Sequence, residues 1–470
     1  VLGVGTFAYL LASVLPSYLP WVVALLAGAV VGLVLLRHLS WTLYVLVIGL
    51  FTADFLAGLQ LIPAPATWIP EGILVLLTAA LLYRLGVLGQ PLCGSAPALD
   101  LSIAFVFVVG LLSAWVNATE PITVLLGLRA HFKYILLFYL LINLNFSTRL
   151  MQRLFGLFWG LMFIQPVFVA WQWLVSPCRN CYVDRYSGML LTTAVLAMMT
   201  GLAAALGLSF YLERKDKTYL LLLMPLLFSL GLADAKAGFW FVAAVSAALL
   251  LYRVLVSRQR LKGLILPALL LGAGFYAALT FASRNLELDL VRLLANVGAV
   301  LEHDWIYDPA AGQEIGRTFD IQLALDTASR LPLSGVLGAG PGAGSPSIFE
   351  PYIGHVYLQV AGRIGRDVFW LQFGRVLVEF GYLGLLGFLS LFANLLLLGH
   401  RAYISGVSPY WKAVALSLVG FVVVLLAAHI YQTLQDVPNF ILWFTAAMLI
   451  RHRREVAQPG LSCPYAESAA

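Results

Sequence analysis

The feature that most restricts this chain is a succession of apolar runs, each about 20 residues long, separated by short polar breaks. Leu101 to Thr119 contains no charged residue, and neither does Leu383 to Gly399. A run of that length crosses a hydrocarbon layer as one helix. Barrel strands are about half as long and alternate in polarity, which these runs do not. Inside lipid the backbone must satisfy its own hydrogen bonds, and a helix does so within one segment. Composition agrees: of 470 residues, 61% are hydrophobic and 11% charged. A soluble domain is about half apolar and about a quarter charged.

We therefore expect an all-α polytopic membrane protein of about fourteen helices. The runs fall at 3–16, 20–36, 41–61, 69–87, 100–117, 121–144, 151–175, 187–212, 217–233, 236–256, 262–282, 370–398, 409–433 and 438–451. This divides the chain into an N-terminal bundle of about eleven helices over 1–282 and a large loop with short helices over 283–369. C-terminal transmembrane helices follow over 370–452, then a tail over 453–470.

Basic residues orient the bundle. Alternate loops collect Arg37, Arg84, Arg149, Arg153, Arg214, Lys215, Lys217, Arg253, Arg258, Arg260, Lys262, Arg401, Lys412, Arg451, Arg453 and Arg454. The positive-inside rule makes that side cytoplasmic, with both termini there and the long loop outside. Topology and anionic lipid thus account for much of the net charge of +6. No polybasic arm is present, so nucleic acid is not an expected partner.

The outer face carries Arg129, Lys133, Arg179, Arg185, Lys236, Arg284, Arg292, Arg317, Arg330, Arg363, Arg366 and Arg375, ten of the twelve being Arg. Arg is a planar, permanently charged fork that grips phosphate or carboxylate through two bonds. Such residues bind an anionic ligand or pair with acids such as Glu287, Asp304 and Asp326. Arg129 and Lys133 lie four apart, on one face of a predicted helix, where two cations need an anion or water. Snorkelling to headgroups is the plain alternative.

Cys93, Cys178, Cys181 and Cys463 are too few for a disulfide framework. Outside the cytoplasm Cys178-x-x-Cys181 is either a local staple or two free thiols. No second such pair supports a four-ligand zinc site. Residues 331–345 are glycine-rich, without the Gly-Lys-Ser/Thr of a P-loop, and form either an anion cradle or a hinge. His355, between this stretch and Arg363 and Arg366, is a candidate proton acceptor. His429 is a weaker one. Asp234-Ala235-Lys236 makes a tight outer turn, and Lys236 is a candidate member of the cationic set. No metal or other cofactor is expected.

Several segments resemble the superfamily of O-antigen ligases and O-antigen polymerases. They are Pro332-Leu333-Ser334-Gly335 with Gly338-Ala339-Gly340-Pro341-Gly342, Glu379-Phe380-Gly381-Tyr382-Leu383-Gly384, Gly127-Leu128-Arg129, and Arg185-Tyr186-Ser187-Gly188. Their order and loop placement match that family over residues 120–400. The resemblance implies a metal-independent, inverting transfer of glycan from an undecaprenyl-diphosphate-linked oligosaccharide at the periplasmic face of a bacterial inner membrane. It implies catalytic roles for His355, Arg185 and Arg317. The diphosphate would be held by Arg129, Lys133, Arg179, Lys236, Arg284, Arg330, Arg363 and Arg366.

Ligases of the family carry His eleven residues before the first glycine of Gly-x-x-Gly. Here that position is Trp370, and Ala235-Lys236 stands for a Ser-Arg pair. Polymerases vary more at these positions, so a polymerase of O-antigen or exopolysaccharide repeat units is the first expectation. Flippase and chain-length-regulator proteins and membrane lipids are the implied partners. A ligase acting on a lipid or protein acceptor is the second reading. A transporter or lipid-linked glycan flippase, which calls for two similar halves, is the third.

Overall fold

A computed structural model describes residues 32, 34–62, 67–92, 96–144, 146–175, 186–190, 192–233, 235–257, 306–308, 313–315, 317–347, 349–364, 368–369, 371–406, 408–433 and 436–457. The chain is helical throughout this set except for loops and one ribbon. The helices of the first part are α1 (Leu39–Gly58), α2 (Ile69–Gly86), α3 (Pro97–Val116), α4 (Pro121–Asn143), α5 (Thr148–Phe163), α6 (Gln165–Val175), α7 (Thr193–Arg214), α8 (Thr218–Leu232) and α9 (Lys236–Ser257). Then come the strands β1 (Ile306–Asp308) and β2 (Gln313–Ile315), and the helices α10 (Arg317–Arg330), α11 (His355–Ile364), α12 (Gln372–Ser405), α13 (Pro409–His429) and α14 (Asp436–Ala457).

Nine spans among the described residues are long and apolar enough to cross a membrane, counting α5 and α6 as one. The protein is a multi-pass membrane protein on that ground. The expected runs at 3–16 and 262–282, and most of 20–36, lie outside the described residues. The expected helix over 187–212 begins only at Thr193, whose neighbour Thr192 caps it by accepting from the Val195 amide. The expected span at 370–398 is α12, which is longer and is broken at Gly381. The all-α expectation holds, and the one extended feature among the described residues is a short antiparallel ribbon of β1 and β2 with Ile306 opposite Ile315.

Burial grades the helices. The span of α7 is 100% buried within the protein and that of α2 only 22%. Helix α7 is lined with Ala203, Ala204, Ala205 and Gly201, and small side chains let α9 and α13 close on it. One end of the bundle is rich in bases. There Arg253 pairs with Glu213, Tyr403 donates to the same carboxylate, and Trp411 stacks on His452 at 3.8 Å. The long loop caps the other end and shares the bundle's packing. Ala324 and Ala328 of α10 pack with Phe369, Leu377 and Val378. Asp320 of α10 accepts from the amides of Phe369 and Leu371 at 2.8 and 3.1 Å, fixing the entry to α12.

Candidate functional site

The glycine-rich stretch is neither an open cradle nor a free hinge. It is folded into the bundle. Lipid has no groups to satisfy an irregular backbone, so such a segment must be buried in protein with each polar group paired. The amides of Ala339 and Gly340 donate to the carbonyls of Val378 and Glu379 at 2.8 and 2.9 Å. Asn117 Nδ2 donates to the Gly338 carbonyl at 2.8 Å and Thr119 Oγ1 to that of Ala339 at 2.7 Å.

This docking interrupts α12. Gly381 has φ 69° and ψ −168°, a conformation open almost only to glycine. A Cβ there would lie 2.3 Å from the Gly335 carbonyl oxygen and 2.4 Å from the Gly338 nitrogen. The Val336 carbonyl takes up the amide of Leu383 beyond the break, at 3.1 Å. On the other side Gly127 of α4 admits the loop, since a Cβ there would meet the Gly342 nitrogen at 2.1 Å.

The break places Glu379 inside the bundle, its side chain 0% exposed. Its Oε2 lies 2.9 Å from Nε2 of His131 on α4, a ring only 5% exposed. Ser345 Oγ donates to Oε1. The other ring nitrogen of His131, Nδ1, is 3.4 Å from Gln372 Nε2. Phe380 and Phe388 meet the imidazole edge-on, at centroid distances of 4.9 and 5.9 Å.

His131, Ser345 and Gln372 line a cavity of about 70 Å³ together with Arg375, His429 and Asn439. One water needs about 10–15 Å³ on this scale, so the cavity has room for a few waters or a hydroxyl-bearing group. His429 Nδ1 lies 2.7 Å from the Leu425 carbonyl. A carbonyl only accepts, so Nδ1 holds the proton. His429 Nε2 is buried without a hydrogen-bond partner among the described residues.

The predicted cations are distributed differently. Arg129 and Lys133 do share a face of α4, and their anions come from the chain itself. Arg129 pairs with Glu71 and lies 5.1 Å over the Trp68 ring. Lys133 Nζ is 3.1 Å from Glu71 and 2.6 Å from Asp436. Asp54 lies within electrostatic reach of both acids and of Lys133.

In the loop, the buried Arg317 lies 4.1 Å over the Tyr431 ring and donates to the Tyr431 carbonyl at 3.3 Å. Burial lowers its pKa, although a guanidinium keeps its charge at any ordinary pH. Arg330 pairs with Asp326 at 2.8 Å on the exposed face of α10, and Arg363 stands exposed in the last turn of α11.

His355 opens α11, on a turn tied to the glycine loop by Gly354 N–H to Ser345 O (3.1 Å) and Tyr357 N–H to Ala343 O (3.0 Å). It is exposed by surface area, yet enough protein surrounds the ring that desolvation holds its pKa below the ordinary imidazole value. Lys236 begins α9. Arg179, Arg185, Arg284 and Arg366, with Cys178, Cys181 and Trp370, lie outside the described residues. Among the described residues, no three His, Cys, Asp or Glu side chains are placed to hold a metal ion.

The structure thus brings together a pair that residue-by-residue reading passed over. In the sequence His131 sits between the two cations of α4, and Glu379 stands as the first letter of a motif. Both are ionisable groups inside apolar runs, and that was a usable signal. No family model matches the chain, and no curated protein is significantly similar to it.

Proposed function

We propose that this protein is a bacterial membrane glycosyltransferase that polymerises undecaprenyl-diphosphate-linked oligosaccharide repeat units, by metal-independent inverting transfer, at the periplasmic face of the inner membrane. One observation carries the reading. The two segments of the family resemblance, Gly338–Gly342 and Glu379–Gly384, interlock as a single unit, with Gly338 and Gly381 in backbone contact. Each segment alone is a weak pattern. Their mutual fit gives the pairing of motifs a structural reason.

The chemistry asks for groups that the loop end of the bundle holds. A departing diphosphate gathers negative charge, and fixed cations in a water-poor site counter it. Arg317 and Arg375 stand at this end. An acceptor hydroxyl must lose its proton, and His131, His355 and His429 stand there too. The bases gathered at the opposite end favour a periplasmic placement for this one.

The test is to incubate purified protein with lipid-linked repeat units and inspect the products. A ladder supports a polymerase. Transfer of a single glycan to another acceptor makes the protein a ligase. A second class of reading, transport, has one feature in its favour: a broken helix with an ionisable pair at the break, as in many transporters. It prevails if no glycosidic bond forms and the reconstituted protein instead moves the lipid-linked glycan across a bilayer.

A further inference from the structure

We propose that the buried pair His131–Glu379, rather than the exposed His355, takes the proton from the acceptor hydroxyl during transfer. This rests on the glycosyl-transfer reading above and assigns the residue it leaves open.

Tautomer logic comes first. Glu379, acting as an acceptor, receives hydrogen bonds from Ser345 and from His131 Nε2. A carboxylate only accepts, so Nε2 of His131 carries a proton. That leaves the lone pair on Nδ1. Its neighbour there, the Gln372 amide at 3.4 Å, makes a long contact that a hydroxyl can displace. An imidazole with one nitrogen held by a buried carboxylate is oriented for proton transfer, and the imidazolium it becomes is stabilised. His355 has no such partner among the described residues.

The surroundings fit the step. His131 and Ser345 open on the same cavity as Arg375 and His429. Those two are the ionisable groups that α12 and α13 turn toward it, while α14 contributes the neutral Asn439. Further along α4, Lys133 is engaged by Glu71 and Asp436. In the reaction the acceptor oxygen bonds to the donor anomeric carbon. The bond from that carbon to the diphosphate oxygen breaks, and its electron pair leaves with the diphosphate. The acceptor proton passes to His131 Nδ1. His429 Nε2, a lone pair with no partner among the described residues, faces the same cavity.

The test uses the full-length protein, purified and supplied with lipid-linked repeat units. Removing a general base costs about 10²–10⁴-fold in rate. His131→Gln is expected to lower kcat at least ~100-fold, to leave KM for the donor within about threefold, and to lose more than His355→Ala. A kcat within about threefold of the parent, with glycosidic bonds still forming, overturns this proposal and leaves the glycosyl-transfer reading standing. If the unaltered protein forms no such bond, both fall. Should His131→Gln fail to fold, Glu379→Gln keeps the shape of the side chain and removes its charge. It is expected to lower kcat about 10–100-fold and to move the acid limb of the rate profile. An unmoved profile at full kcat assigns the pair a merely structural part and overturns the proposal.

Discussion

The two faces of α4 carry polar groups in opposite settings. On one, Arg129 and Lys133 meet Glu71 and Asp436 at the margin of the bundle, where Arg129 is 39% exposed and Asp436 49%. On the other, about 200° around the helix, His131 meets Glu379 in the interior. The first face uses full charges, screened by solvent and matched one against another. The second encloses a single imidazole–carboxylate contact beside a cavity and supports it with a loop that breaks a helix. Charged residues near a membrane boundary serve packing and orientation as readily as chemistry. An ionisable pair that costs the fold an irregular buried backbone calls for a further reason.

Substitutions can break this contrast. The largest effect belongs to Gly381→Ala. It forces a side chain into a glycine-only conformation and against the Gly335 carbonyl, and is expected to cost about 2–5 kcal/mol. Loss of monodisperse protein on gel filtration, with activity gone, is the expected result. Normal yield and activity would mean that the loop does not dock as described.

Next is Lys133→Met, which leaves Asp436 without its cation and Glu71 with Arg129 alone. Exposure of Asp436 tempers the loss, so about 1–2 kcal/mol is expected, read as a lower apparent Tm. If Lys133→Met is as stable as the parent, those ion pairs do not hold the margin together. Asp320→Ala leaves the amides of Phe369 and Leu371 unpaired and is expected to cost about 1–3 kcal/mol. Faster proteolysis of the loop over 317–369 in the folded protein would report it.

Much of the bundle could be read in advance because lipid demands long apolar runs. Helices α3, α4 and α9 lie within a few residues of their expected spans. The loop's relation to the bundle could not be read so. Apolar periodicity says nothing about which glycine meets which, and the contact of Gly338 with Gly381 spans two elements. Glu379 shows the same limit. It sits on an apolar helix, and only the break at Gly381 and the arrival of Ser345 and His131 turn it into a site. Counting bases alone found Arg129 and Lys133. It overlooked the acids Glu71 and Asp436, which lie far away in sequence and close by in space.

The smallest expected effect concerns His355, and it separates a surface imidazole from the buried one. Desolvation holds its folded pKa below 6.5, so the unfolded chain binds the proton more readily. Stability from this group is therefore complete above the unfolded value and is lost as pH falls through it toward the folded one. Thermal unfolding at one scan rate, at about pH 7.5 and about pH 5.5, isolates the contribution. The parent should lose slightly more apparent Tm between the two conditions than His355→Ala does. An equal loss in both would mean that the ring at the start of α11 is as well hydrated in the folded protein as in the unfolded chain. His355 would then differ from His131 in solvation as well as in partners, and the contrast between enclosed and open imidazoles would become sharper.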